Sequence, residues 1–239
     1  MEKSIPALTS RESRDLDRRA TEEFHIPAET LMENAGKAAA EQSLKFLEKS
    51  GTSGPWKVLI LCGGGNNGGD GLVTARILRE KGNKSEIVFL KPRESLKGLA
   101  LLNFERAENL NIPCEFLPKT DILEQKIEEA HLLIDALLGT GFKGALSDGF
   151  KTAIEKMNSS GKPILSIDVP SGLDSDSGQT QGSCVRAQLT VAMGAMKKGF
   201  LNETAKEFTG KVVVADIGYP HALLQEFKPP AGTDFSKIS

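Results

Sequence analysis

Along the chain, short unbroken apolar runs alternate with stretches in which apolar residues recur every three or four positions. The runs stand at 57–62, 86–90, 113–117, 132–137, 163–169, 188–193 and 211–216. Most are continuous instead of alternating between apolar and polar, which is the pattern of strands covered on both faces of a parallel sheet. Helical spacing fills intervals near 71–81, 96–109, 121–130 and 147–158. Strand–helix–strand units repeated at this pitch predict an α/β fold: a three-layer αβα, Rossmann-like arrangement around a mostly parallel, doubly wound sheet.

The first fifty residues read as helix. Thr9-Ser10-Arg11-Glu12 has the form of a capping box, in which a hydroxyl takes one orphan N–H and a glutamate reaches back for another. Pro27 opens a second helix, with Leu31, Ala35, Ala38 and Ala39 at helical spacing. Residues 1–220 are expected to form one domain. Residues 221–239 contain Pro229-Pro230, few apolar residues and no periodicity, and are expected to be a flexible surface tail.

Composition narrows the function classes. Lys plus Arg total 30 against 32 Asp plus Glu, a formal charge of −2, so the chain lacks the basic footprint of a nucleic-acid or anionic-membrane binder. Three scattered cysteines (Cys62, Cys114, Cys184) form neither a disulfide framework nor a zinc spacing. No apolar run reaches transmembrane length and the first residues lack a signal-peptide core, so the expected location is the cytoplasm. Glycine is the outlier, 24 of 239 residues against a usual share of about 7%.

The glycines gather after strands, where ligands bind in such sheets. Gly63-Gly64-Gly65-Asn66-Asn67-Gly68-Gly69-Asp70-Gly71 follows the first strand and satisfies GxGxxG. A ring of backbone N–H groups at a helix start would seat phosphate. Two features depart from an ordinary dinucleotide fingerprint. The next strand ends Leu90-Lys91-Pro92-Arg93, without an acid for a ribose hydroxyl, and Asp70 would repel a phosphate beside it. Asp70 therefore suggests a sugar hydroxyl, a cation or proton transfer; the plainer reading is turn geometry and a helix cap. Asp135 stands in an apolar run ahead of a second loop, Leu138-Gly139-Thr140-Gly141-Phe142-Lys143-Gly144, and needs a cation or hydrogen-bond donors. Asp168 follows another buried strand, ahead of Pro170-Ser171-Gly172, and could serve either a site or a helix cap. The motifs exclude a Walker A loop and a GxSxG hydrolase, and His131 at a strand start reads as structural. Lys197 and Lys198 could pair with phosphates or simply face solvent. On the second helix, Ala35 and Gly36 permit close packing, while Glu33 and Asn34 face a site or water.

Taken together and in order, LMENAG, GGGNNGGDG, DALLGTGFKG, SIDVPSGLDSDSG, GAMKKG and the final VADIGYP make the chain resemble the NAD(P)HX epimerase family, also called the YjeF N-terminal domain, over roughly residues 5–220. The resemblance implies an isomerase acting on NADHX and NADPHX, the hydrated nicotinamide cofactors with a hydroxyl at C6 of the reduced ring. It would interconvert their R and S epimers for an ADP- or ATP-dependent, S-specific dehydratase. It implies substrate binding by Asn66, Asn67, Gly68, Gly69, Asp70, Gly139, Thr140, Gly141, Phe142, Lys143, Gly144, Ala145 and Asp168. It also implies a potassium ion on Asn67, Asp135 and Ser171 with backbone carbonyls, and a homodimer.

The chemistry asks for a positioned acid/base, since C6 is a hemiaminal carbon. Its hydroxyl can leave as water to give an iminium, or the ring can open to an aldehyde and reclose. Asp168 is the first candidate for this role and Asp70 the second. Two other classes compete: a non-catalytic nucleotide-binding or scaffold module, which the domain also resembles in the apolipoprotein A-I-binding protein, and an ordinary nicotinamide dehydrogenase. Three retained aspartates speak against the first, and the missing ribose acid against the second.

Overall fold

The computed structural model describes residues 6–227, apart from Ser50, Thr52 and Lys143. In chain order the elements are β1 (Ala7–Leu8), α1 (Ser10–Glu22), α2 (Ala28–Lys49), β2 (Lys57–Cys62), α3 (Asn66–Glu80), β3 (Lys84–Phe89), α4 (Gly98–Asn109), β4 (Cys114–Phe116), α5 (Thr120–Glu129) and β5 (Leu132–Ala136). They continue with α6 (Asp148–Ser159), β6 (Ile164–Ile167), β7 (Leu189–Met193), β8 (Met196–Lys197), α7 (Lys206–Thr209), β9 (Lys211–Ala215) and α8 (His221–Glu226).

Seven strands form one parallel sheet in the order β4-β3-β2-β5-β6-β7-β9. The continuous apolar runs have the predicted cause. Along β2, Val58, Ile60 and Cys62 pack with Leu72 and Leu78 of α3 and with α2 and α4, while Leu59 and Leu61 pack with Leu123 of α5 and Ile154 of α6. Successive side chains point to opposite faces, so a sheet with helices on both sides needs apolar residues at every position. The order reverses between β2 and β5, which opens a crevice at their carboxyl ends. No helix among the described residues is long and apolar enough to cross a membrane.

The amino-terminal helices start as the sequence predicts. Glu12 N–H donates to Thr9 Oγ1 (3.2 Å) while Thr9 N–H donates to Glu12 Oε2 (2.8 Å), completing the capping box. Gly36 permits close packing of α2 on α3: a Cβ there would stand 2.4 Å from Val73 Cβ and 2.9 Å from the Asp70 carbonyl oxygen. Glu33 pairs with Arg76 and Arg106, and Asn34 Nδ2 donates to the Ile217 carbonyl (2.8 Å), so these two residues clamp neighbouring elements. His131 is structural, its Nδ1 accepting the Lys57 N–H (3.0 Å).

Three expectations are corrected. The third helix begins at Asn66 and not near 71, because the glycine-rich segment is already helical from Asn66 onward. β6 stops at Ile167, two residues short of the predicted end, because Asp168 takes φ = +66°. The tail does not begin at 221. His221–Glu226 is helical, Leu223 is fully buried, and Glu226 pairs with Arg19 of α1 (2.8 Å). A helix of six residues is too short to display a period. The rest of the expected tail, 228–239, lies outside the described residues. A further parallel pair, β1 with β8, sets Leu8 opposite Lys197.

Candidate active site

The segments following β2, β5, β6 and β7 line a cleft of about 540 Å3 over the crevice, closed on one side by α1 and Tyr219. Its floor depends on glycine. A Cβ on Gly63 would lie 2.0 Å from the Leu137 carbonyl oxygen, and one on Gly68 would lie 2.0 Å from the Gly63 carbonyl oxygen. The two loops thus touch backbone to backbone. Gly65 caps α3 without a side chain, and the first turn carries no acid, so the amino-terminal N–H groups of α3 stay available to an anion in the cleft.

Asp70 is borne on the second turn of α3 and lines the same cleft. Its surface is only partly open. Burial among the cleft walls pushes its carboxyl well above the usual carboxylate range; Asp168 and Asp17 push the same way, and Lys197 only partly opposes them. No hydrogen bond or ion pair reaches the Asp70 carboxylate among the described residues.

Asp168 is built differently. Its Oδ1 lies 2.6 Å from Nζ of Lys197, a pair with side chains 15% and 4% exposed. The Met193 N–H donates to the same oxygen (3.2 Å), and Lys197 also donates to the Met193 carbonyl (3.2 Å). The backbone at Asp168 is strained. Val169 N–H donates to the Ile167 carbonyl (2.8 Å), closing a three-residue turn around a non-glycine residue at φ = +66°. The next strand ends in the same way: Ala195 N–H donates to the Met193 carbonyl (2.8 Å) around Gly194 at φ = +69°. Aspartate therefore occupies a position where its neighbour uses glycine. Asp168 caps no helix, since the residues after it form turns.

For Lys197 and Lys198 the sequence leaves two expectations, pairing with phosphate or facing solvent. The structure separates them. Lys197 is buried against Asp168, whereas Lys198 is exposed and does not line the cleft. Two further residues enter unannounced: Asp17 of α1 and Tyr219, whose hydroxyl donates to the Asp17 carboxylate. Asp17 stands one helical turn behind the capping box, and Tyr219 follows the last strand, so only the tertiary fold brings them to the cleft.

Asp135 sits behind the cleft wall, fully buried. Its Oδ2 accepts from Ser166 Oγ (2.9 Å) and Ser171 N–H (2.8 Å), and its Oδ1 from Ser171 Oγ (2.6 Å) and Leu137 N–H (3.2 Å). Hydrogen-bond donors thus satisfy both oxygens of this buried carboxylate. Burial still raises its carboxyl above the ordinary value, with these donors pulling it back. Nearby, Asn67 Nδ2 donates to the Leu138 carbonyl (2.8 Å), while Asn67 Oδ1 is buried with no hydrogen-bond partner among the described residues. An orphaned amide oxygen beside serine, carboxylate and carbonyl oxygens suits a hard cation that takes only oxygen ligands. Among the described residues no cluster of His, Cys, Asp and Glu offers a transition-metal site.

Of the residues picked from the sequence, Asn66, Asn67, Asp70, Gly139, Thr140, Gly141, Phe142 and Asp168 line one cleft. Gly68 and Gly69 lie beneath it, Gly69 against Met32. Gly144 and Ala145 fall outside its lining, and Lys143 lies outside the described residues.

The sequence profile described as YjeF-related protein N-terminus matches residues 28–199. The chain belongs to this family. Over 226 residues it is 41% identical to the NAD(P)H-hydrate epimerase of Elusimicrobium minutum, covering 93% of this chain and 100% of that protein. The NAD(P)H-hydrate epimerase of Rhodopirellula baltica is 35% identical, with 93% of this chain and 88% of that protein aligned. The bifunctional NAD(P)H-hydrate repair enzyme of Thermofilum pendens is 35% identical over 88% of this chain, which spans 40% of that longer protein. A yeast protein of known crystal structure shares the fold, with a TM-score of 0.82 at 24% identity over 97% of this chain and 98% of its own. Asp70, Asp135, Asp168, Ser171 and Lys197 lie inside the stretch matched to the YjeF-related family, while Asp17 and Tyr219 lie outside it.

Proposed function

We propose that the chain is an NAD(P)H-hydrate epimerase, interconverting the R and S forms of hydrated NADH and NADPH at C6 of the reduced nicotinamide ring. The single observation that carries the chemistry is the contrast between Asp70 and Asp168. Two carboxyl groups face one cleft, one uncompensated and pushed upward by burial, the other paired with a buried lysine. A carboxyl raised by burial is suited to donate a proton, and a carboxylate held beside an ammonium at the same cleft is placed to accept one. The pairing with named epimerases along nearly the whole chain points to the same reaction.

The pyrophosphate rests on the open amino end of α3, with the nicotinamide ring toward Asp168. Asp70, in its protonated form, donates its proton to the C6 hydroxyl. The C6–O bond breaks, the ring nitrogen's lone pair forms the C6=N bond of an iminium, and water departs. A water on the opposite face adds to C6 and gives its proton to the Asp168 carboxylate, and exchange with solvent returns both groups to their starting states. The cluster of carboxylates around the ring stabilises the cationic intermediate, which favours this route over ring opening. Asp168 is strained and the strain is retained, as is common where a side chain must be aimed.

Asn67, Asp135 and Ser171 would hold a potassium ion, whose role is to fix the glycine loop against the 138–142 loop. The bifunctional relatives support a dehydratase as the functional partner. The test uses purified protein and separated R and S epimers of each hydrated cofactor. Either pure epimer is expected to relax to the same mixture, at a rate proportional to protein concentration. Persistence of both epimers unchanged overturns the assignment and leaves a binding module.

A further inference from the structure

Two basic residues of the cleft, Arg14 of α1 and Lys91, have no part in this scheme, and only Lys91 stands at the β3 end. Lys91 stands two residues past the end of β3 and lines the cleft. Its ammonium lies over the ring of Phe150, 5.5 Å from the centroid. No carboxylate pairs with it among the described residues. Arg93, the other basic residue of this segment, is committed elsewhere: it pairs with Glu108 (3.0 Å), lies 4.8 Å over the Phe104 ring, and does not line the cleft.

The strand order shows what Lys91 could meet. Across the carboxyl edge of the sheet run β3, β2, β5 and β6, carrying in turn Lys91, the glycine loop, the 138–142 loop and Asp168. Neighbouring strands are about 4.8 Å apart, which sets the two extremes roughly 14 Å apart along the edge. The amino end of α3 lies between them. A dinucleotide with its reacting ring at Asp168 and its pyrophosphate over α3 therefore sends its adenosine ribose toward β3. In doubly wound dinucleotide sites this strand end offers an acid to the hydroxyl of an unphosphorylated ribose, or a basic residue to its 2′-phosphate. The carboxylates lining this cleft are Asp17, Asp70 and Asp168, none of them at β3. An ammonium resting on an aromatic face, with no counter-ion, keeps N–H donors for an incoming anion.

We propose that Lys91 binds a phosphate on the adenosine ribose and makes hydrated NADPH the preferred substrate; this rests on the epimerase reading above. Lys91→Met keeps the apolar stem on Phe150 and removes the charge, and Lys91→Glu reverses it. Lys91 is exposed, so neither change disturbs the core.

Two measurements separate the proposal from the reading on which it stands. Calorimetric titration with ADP-ribose and its 2′-phosphate should show the wild type binding the phosphorylated nucleotide about tenfold or more tightly, the equivalent of about 1.4 kcal/mol. Lys91→Met should erase the difference by weakening that nucleotide alone, and Lys91→Glu should invert it. In turnover, the same variants should raise KM for hydrated NADPH with kcat held, and leave KM for hydrated NADH unmoved. Equal wild-type affinity for the two nucleotides, or a parallel loss of both in Lys91→Met, overturns the proposal. If the wild type turns over neither hydrated cofactor while the difference in binding stands, the epimerase reading fails and Lys91 remains the phosphate-binding residue.

Discussion

Replacing Asp168 by asparagine separates the ion pair that the structure shows from the proton transfer proposed for the same side chain. Asp168 is the counter-ion of a buried ammonium and also the carboxylate assigned to proton transfer. Removing one partner of a buried pair leaves the other charge without compensation, at a cost of about 3 to 5 kcal/mol. Asparagine keeps an acceptor near Lys197, which also retains the Met193 carbonyl, so Asp168→Asn should fall at the low end, about 3 kcal/mol. Asparagine also tolerates the positive φ of this turn; Asp168→Ala should lose roughly a further 1 kcal/mol to backbone strain. Loss of a positioned acid/base lowers kcat by about 10²–10⁴. A second change, Lys197→Met, removes the stranded charge and fills the space with an apolar chain. Chemical denaturation and turnover on pure R epimer would be measured for the single and double variants. Stability should largely return in the Asp168→Asn/Lys197→Met protein while kcat stays depressed. If turnover returns along with stability, Asp168 is only the counter-ion of Lys197 and the proton-transfer role belongs elsewhere.

Asp70→Asn should raise thermal stability near neutral pH. The Asp70 carboxyl is held above its ordinary value of 3.8, so its favourable contribution is complete below 3.8 and lost as pH rises through the raised folded value. The gap in Tm between variant and wild type should therefore widen from acid toward neutral pH, and a gap that stays flat refutes the burial argument. Truncation after Pro220 should lower stability by about 1.5–3 kcal/mol, the worth of burying Leu223, and an unchanged melting curve would show that α8 contributes nothing. Exchanging potassium for lithium should weaken ADP-ribose binding and lower Tm, and Asp135→Asn should blunt the response to the cation. Indifference of both quantities across a cation titration removes the proposed ion from the orphaned Asn67 oxygen.

What the sequence made legible was whatever local physics dictates. The sheet was readable because strands such as Leu132–Ala136 are apolar at every position, a demand only a doubly covered parallel sheet makes. The capping box was readable because its two hydrogen bonds span three residues. The cleft was half readable: glycines after a strand betray close backbone approach, and the contact of Gly63 with the Leu137 carbonyl is that approach. The role of Lys197 was not readable, for the opposite reason. Its partner lies 29 positions earlier in the chain, on the end of another strand, and a lysine in Met196-Lys197-Lys198 looks no different from the exposed one beside it.

The path by which Lys197 reaches Asp168 also explains why Asp17 belongs to the cleft. Lys197 lies in β8, which is held by β1 through the pairing of Leu8 with Lys197. β1 leads directly into α1, whose first residue donates from both its backbone N–H and its hydroxyl to Asp176, in the segment that follows Asp168. One short ladder therefore fixes the lysine, the start of α1 and the loop after β6 together. Asp17, two turns into that helix, is delivered to the cleft by the same constraint, where Tyr219 meets it from the end of β9. A pair of two-residue strands carries no readable period, yet it sets the position of one charge partner and one wall of the site. The Asp168 end of the cleft is thus a tertiary product, assembled from segments at both ends of the described chain, whereas the α3 end is encoded locally by the glycines that open the helix.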